Sequence, residues 1–94
     1  MRVAAADTFE EQLEKIRDAS IVKRAEKAVE KLKVANTLRE VTNVKPMKGY
    51  SGFYRLSFGN YRIGFYYIEE EQTVELLAID HRDTIYRAFP GNFA

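Results

Sequence analysis

The stretch Tyr54-Arg55-Leu56-Ser57-Phe58-Gly59-Asn60-Tyr61-Arg62-Ile63-Gly64-Phe65-Tyr66 decides the fold of this chain. Two alternating runs flank Gly59-Asn60, a dipeptide suited to a two-residue hairpin turn. Turn length sets register, and register decides which side chains share a face. With Gly59 and Asn60 as the loop, Phe58 pairs with Tyr61, Ser57 with Arg62 and Arg55 with Gly64. Arg55 and Arg62 then lie diagonally on one face, and Leu56, Phe58, Tyr61, Ile63 and Phe65 are free to bury the other. Two guanidinium groups beside a glycine make a seat for a phosphate.

Working outward, residues 53–58, 60–68 and 73–80 read as three antiparallel strands, and residues 2–5 as a short edge strand. Phe9, Leu13 and Ile16 recur at helical intervals, so residues 8–17 read as a helix. Asp7 or Thr8 is expected to cap it, Thr8 standing at capping-box spacing from Glu11. Ser20 is expected to cap a second helix running to about residue 34, with Ile21 or Val22, Ala25, Ala28, Val29 and Leu32 as its apolar stripe. Lys23, Arg24, Lys27, Lys31 and Lys33, interleaved with Glu26 and Glu30, read as its solvated face, with partner binding as the alternative. Residues 37–41 suggest a helical turn. Residues 44–47 suggest extended chain, because proline disfavours helix before it. Asp83 to Arg87 suggests a short terminal turn, and residues 89–93 a tail. The pattern is α+β: one domain over residues 1–94, with a helical hairpin packed on one face of a small antiparallel sheet.

The 94 residues suffice for one core, and 46% hydrophobic with 13% aromatic content argues for order rather than disorder. No cysteine is present, which excludes disulfides and thiolate metal sites. No apolar run approaches a signal-peptide core or a membrane span, so a cytoplasmic soluble domain with no membrane partner is expected. The net charge of +1 argues against a strongly basic nucleic-acid binder. Its distribution is uneven, however. Residues 36–68 hold Arg39, Lys45, Lys48, Arg55 and Arg62 against Glu40 alone, whereas Arg82 and Arg87 face six acids in residues 69–94. Positive charge is thus concentrated around the hairpin.

If Glu69 to Gln72 form a four-residue loop, Ile68 pairs with Thr73 and Arg62 with Ile79. His81 then joins Arg55 and Arg62 on one face, with Arg82 and Tyr86 just beyond. Arginine, histidine and tyrosine without a carboxylate pair suit phosphodiester chemistry. Cleaving RNA through its own 2′-hydroxyl needs a base, an acid for the departing 5′-oxygen, and cations for the charge gathering on phosphorus. The arginines serve the last need, since they stay protonated. Histidine titrates near neutrality and serves either proton-transfer role at His81. A tyrosine hydroxyl such as that of Tyr86 becomes a base where cations favour its phenolate. Lys45 and Lys48, in the basic approach to the hairpin, and Tyr66, able to stack on a base, are candidate substrate-binding residues. Tyr86 and His81 have structural alternatives, as anchors of the terminal segment and strand end, and the arginines can pair with acids across the sheet. The sequence contains no metal-ligand cluster, phosphate-binding glycine loop or nucleophile motif, so neither metal nor cofactor is expected.

Tyr54-Arg55-Leu56, Gly59-Asn60-Tyr61-Arg62-Ile63 and the ending Ile79-Asp80-His81-Arg82-Asp83-Thr84-Ile85-Tyr86-Arg87 resemble the RelE/ParE superfamily of bacterial and archaeal toxins, as does Lys48-Gly49-Tyr50 before them. The resemblance implies a small α+β fold with its active site on the sheet face. It implies a type II toxin of the RelE-like branch, which enters the ribosomal A site and cleaves mRNA without a metal, held in check by a cognate antitoxin. On that pattern Arg55 matches a basic residue of the first hairpin strand and Arg62 a phosphate-stabilising arginine. His81-Arg82 matches the basic group ending the last strand, and Tyr86 a tyrosine that contributes to cleavage. Ser57 departs from it, standing where the best-studied branch has a second lysine, and so does the near-neutral charge. The rival reading within the superfamily is a ParE-like module that poisons DNA gyrase without cutting RNA; a third is a member that has lost toxicity.

Overall fold

A computed structural model describes residues 1–94. Its elements are β1 (Arg2–Ala5), α1 (Asp7–Lys15), α2 (Ala19–Val34), β2 (Val44–Pro46), β3 (Phe53–Phe58), β4 (Tyr61–Ile68) and β5 (Thr73–His81), with short 3₁₀ turns at Leu38–Glu40, Glu69–Glu71, Ile85–Arg87 and Gly91–Phe93. The strands form one sheet in the order β1-β5-β4-β3-β2. All neighbours are antiparallel except β1, which runs parallel to β5. Both helices pack on one face, as the α+β reading requires.

The hairpin has the register expected of a two-residue loop: Phe58 opposite Tyr61, Ser57 opposite Arg62, Arg55 opposite Gly64. Only Gly59 of the two loop residues has a positive φ, +54°, the pattern of a type II′ turn. On the helix face, Leu56, Ile63 and Phe65 join Phe9, Ala25, Ala28 and Leu32 in the main core. Ile63 and Phe65 are fully buried. Burying each contributes roughly 1.5–3 kcal/mol, so a one-residue slip of β4 is strongly disfavoured.

The second hairpin begins as expected, with Ile68 opposite Thr73, but its register shifts by one between Gly64 and Phe65. A bulge at Leu77 causes the shift: Phe65 faces Leu76, Gly64 faces Ala78, and Arg62 faces Asp80 rather than Ile79. Leu76 and Ile79 are three residues apart yet both buried in the core, which strict alternation forbids and one extra residue allows.

The bulge lies where β1 has ended, and α1 takes over the edge of β5. The Ala6 N–H donates to the Leu76 carbonyl at 2.9 Å, and the Thr8 hydroxyl donates to the Leu77 carbonyl at 2.6 Å. The Gln12 Oε1 accepts from the Ile79 N–H at 2.9 Å. Thr8 and Gln12, four apart on one helix face, thus satisfy backbone groups that β1 no longer reaches. Thr8 is therefore a bulge ligand and not the expected cap; α1 starts at Asp7 with no side-chain cap. The cap of α2 is Asp18, whose carboxylate accepts from the Ser20 N–H and hydroxyl, so Ser20 is the donor and not the capping residue.

The tail expected at residues 89–93 is a second cover for the sheet. Phe89 is 1% exposed and packs with Phe53, Ala78 and Ile85 on the face opposite the helices. Gly64 makes the room: a Cβ there would lie 2.7 Å from the Phe89 ring.

Candidate functional site

The sheet face away from the helices is divided. Its lower part, around Gly64, Ala78 and Phe53, lies under Phe89. Its upper part carries Lys45, Arg55, Ser57, Arg62 and Asp80, placed there by the paired registers of β2 to β5. Lys45 stands directly opposite Arg55, so the expected substrate-binding lysine is the neighbour of the first hairpin arginine. Arg55 and Arg62 are half-buried, and the Arg55 guanidinium donates to the Ser57 hydroxyl. Arg62 donates through Nη1 to the carbonyls of Gly59 at 3.0 Å and Tyr61 at 2.8 Å. The ion pairs of the chain involve only His81, Arg82 and Asp83; neither hairpin arginine has a carboxylate within 4 Å, although Asp80 faces Arg62 across the sheet.

The turn also holds Arg82, whose N–H donates to the Asn60 carbonyl at 2.7 Å. The bulge gives Arg82, not His81, the register position on the Arg62 face. His81 pairs with Tyr61 and falls on the helix side, its ring 5.7 Å from the Tyr61 ring in an edge-to-face contact. The expected grouping of His81 with Arg55 and Arg62 on one face is thereby corrected. The signal that would have shown it is the broken alternation of Leu76 and Ile79. The same signal would have revealed Asp80, which stands opposite Arg62 and accepts from the His81 N–H at 2.8 Å.

His81 Nδ1 has two partners that exclude each other. The Asp83 N–H donates to it at 3.1 Å, which requires a bare nitrogen; the Asp83 carboxylate lies 3.3 Å away, which suits a protonated one. In the first state the ring carries its proton on Nε2 and is a donor there. In the second, the neutral ring held by the carboxylate leaves Nε2 bare as a base, and the imidazolium has both nitrogens protonated.

Tyr86 is 43% exposed and makes no hydrogen bond, while its neighbour Ile85 anchors the turn in the second core. Lys48 lies in the exposed turn before β3, off the sheet face. Tyr66 shares the face of Arg55, but its ring packs edge-on to Phe53 at 4.9 Å and covers Gly52. The partly buried ring thus leans on the second core. Register brings Lys45, Arg55 and Arg62 to one end of one face, with Arg82 just past the end of β5; His81 faces the helix side and Tyr86 lies exposed in the turn that follows. No group of three or more His, Cys, Asp or Glu side chains is placed to hold a metal ion.

A five-stranded sheet with a helical hairpin on one face and a basic strand hairpin beside an uncovered patch is the architecture of a small toxin fold. The family model for the ParE toxin of type II toxin-antitoxin systems, parDE, matches residues 3–86, and the chain belongs to this family, within the RelE/ParE superfamily. It is 36% identical to Toxin RelE3 of Methanocaldococcus jannaschii over 92 residues, covering 96% of this chain and all of the relative. The crystal structure of a RelB-RelE antitoxin-toxin complex from Methanococcus jannaschii superposes with a TM-score of 0.75 at 32% identity, over 92% of this chain and 98% of that one. An archaeal RelE-RelB complex from Pyrococcus horikoshii superposes with a TM-score of 0.71 at 19% identity, over 88% and 96%, and shares the fold. These likenesses place the chain on the RelE-like branch as a type II toxin.

Proposed function

We propose that this toxin is a ribosome-dependent mRNA endonuclease that works in the cytoplasm and is neutralised by a cognate antitoxin. The observation that carries the reading is the set of cations on the open sheet face. Lys45, Arg55 and Arg62 lie within neighbouring register positions, and none is paired with a carboxylate. Unpaired guanidinium groups already half-desolvated stabilise negative charge more strongly than exposed ones and need little rearrangement to do so.

The chemistry assigned to the face is transesterification. The RNA 2′-oxygen loses its proton to a base and attacks the adjacent phosphorus. The 5′-oxygen leaves with a proton from an acid, and a 2′,3′-cyclic phosphate remains. Arg55 and Arg62 stabilise the charge on the phosphate oxygens. His81, which ends β5 with its ring on the helix side, is assigned to proton transfer because Asp83 can hold its Nδ1 in either state and leave Nε2 to act. Tyr86, free of hydrogen bonds, is the second proton-transfer group. Lys45 orients the flanking phosphate. No step requires a metal or cofactor, since the cations and proton carriers supply each need. The antitoxin reading draws on the RelB-RelE complexes that the fold matches.

The test is a translating extract in which mRNA ends are mapped by primer extension. Wild-type protein is expected to cut at codon-linked positions, and Arg62→Ala to lose cleavage by about 10²–10³-fold, as for one charge-stabilising donor. No codon-linked cleavage from the wild type would end the nuclease reading. The match to the ParE family model favours gyrase as the second target. Inhibition of supercoiling by purified protein, unaffected by Arg62→Ala, would establish that rival.

A further inference from the structure

We infer that the groove between α2 and the edge of β3 is a second phosphodiester seat, holding RNA backbone outside the cleavage site. This rests on the RNA reading of the sheet face. The groove has a volume of about 400 Å³. Arg24, Lys27 and Lys31 line one wall, and Thr42, Asn43 and Ser57 stand among the residues opposite; no carboxylate lines it. The three cations, at i, i+3 and i+7, occupy one face of α2. None has a carboxylate within 4 Å.

Opposite charges stand three apart on α2 at Lys23–Glu26, Lys27–Glu30 and Glu30–Lys33, which supports the helix, while like charges stand four apart along each groove-facing row. Lys27 and Lys31 are four apart, as are Glu26 and Glu30, and like charges at this spacing destabilise a helix. Glu26 and Glu30 instead line a different groove, with Glu10, Lys33 and the apolar side chains of α1 and β1. The sorting leaves one wall wholly basic. Arg24 is further held by Phe58, its guanidinium 5.7 Å from the ring centroid, which keeps a planar donor fork at the groove mouth.

Continuity with the sheet face favours RNA over an acidic peptide. β2 pairs with β3 only as far as Leu56, so the edge is open at Ser57 apart from one bond from its N–H to the Asn43 carbonyl at 2.9 Å. Ser57 lines the groove while its hydroxyl accepts from Arg55 on the sheet face. A chain of regularly spaced phosphates can therefore pass from the arginines around the β3 edge to the α2 cations. An acidic peptide would need apolar footholds; Ala28, Val41 and Leu56 are buried in the core, and Phe58, the partly exposed apolar residue of the lining, is engaged by Arg24.

The experiment measures fluorescence anisotropy of a labelled, uncleavable 2′-O-methyl oligouridylate titrated with the purified protein across a range of KCl concentrations. Lys27→Glu/Lys31→Glu is expected to weaken binding by at least about tenfold. It is also expected to flatten the slope of log K against log salt by about 1.4, two single-strand phosphate contacts. Both lysines are exposed, and Lys27→Gln/Lys31→Gln, checked by thermal melting, provides a milder version with the same direction. Affinity and slope equal to wild type in both variants would overturn the groove while leaving cleavage in the extract unaffected. Loss of binding in a protein whose wild type does not cut would uphold the groove and remove the nuclease. Displacement of the oligonucleotide by polyglutamate of equal charge, at equal concentration, would overturn it in favour of an acidic peptide.

Discussion

Ser57, expected from the resemblance to stand where the RelE-like branch has a lysine, is a hydrogen-bond partner of the hairpin in this structure. Its hydroxyl accepts from Arg55 and so fixes the guanidinium beside Gly64. Replacing it by lysine removes that bond and adds a third cation between Arg55 and Arg62. If charge on the phosphate limits the rate, Ser57→Lys is expected to raise cleavage in the extract severalfold; an unchanged or lower rate would show that the Arg55 bond matters more. Gly64 is the other decisive residue. Gly64→Ala drives a methyl against the Phe89 ring, with no space around it. Overpacking of this kind costs about 1–3 kcal/mol, so the urea midpoint is expected to fall with the m-value unchanged.

At the scale of elements, α1 does more than cover the core, because its Thr8 and Gln12 complete the ladder of β5 beside the bulge. Gln12→Leu leaves the Ile79 N–H without a partner in a buried setting and is expected to cost about 1–3 kcal/mol. Gln12→Glu keeps the acceptor and is expected to cost less, and hydrogen exchange at the Ile79 amide distinguishes the two. The cap of α2 predicts a pH dependence. Hydrogen bonds from the Ser20 hydroxyl and N–H hold the Asp18 carboxyl below its ordinary value. A carboxylate lowered by folding stabilises the fold above the ordinary carboxylate range, and that contribution fades as pH falls through the lowered value. Asp18→Asn keeps a capping oxygen but cannot titrate there. Its melting temperature is expected to depend less on pH than that of wild type on the acid side, below about pH 4.

For the whole molecule, the sheet is covered on both sides by unequal means, helices on one face and the terminal segment on part of the other. Phe89→Ala removes the centre of the second cover and is expected to cost about 3–5 kcal/mol, read from the denaturant midpoint. The two-helix, antiparallel-sheet architecture and the first hairpin register were legible in the sequence, because alternation and a two-residue turn act over neighbouring residues. So were the apolar stripe of α2, the extended segment at residues 44–47 and the placing of Arg55 and Arg62 on one face. His81 faces the opposite way from the register counted outward from the turn, because that count holds only until a bulge intervenes, and this bulge is met by bonds from α1, more than sixty residues away in sequence. Phe89 read as tail because nothing local marks a glycine in β4 as its socket. The basic face of α2 is exposed, as its charge pattern predicts, and only packing against the β3 edge makes part of it the wall of a groove. Local pattern thus determined the elements, the hairpin and its two arginines. Tertiary structure alone decided which groups stand beside them, because an extra residue in β5 reverses the facing of all that follows and only distant side chains make that residue affordable.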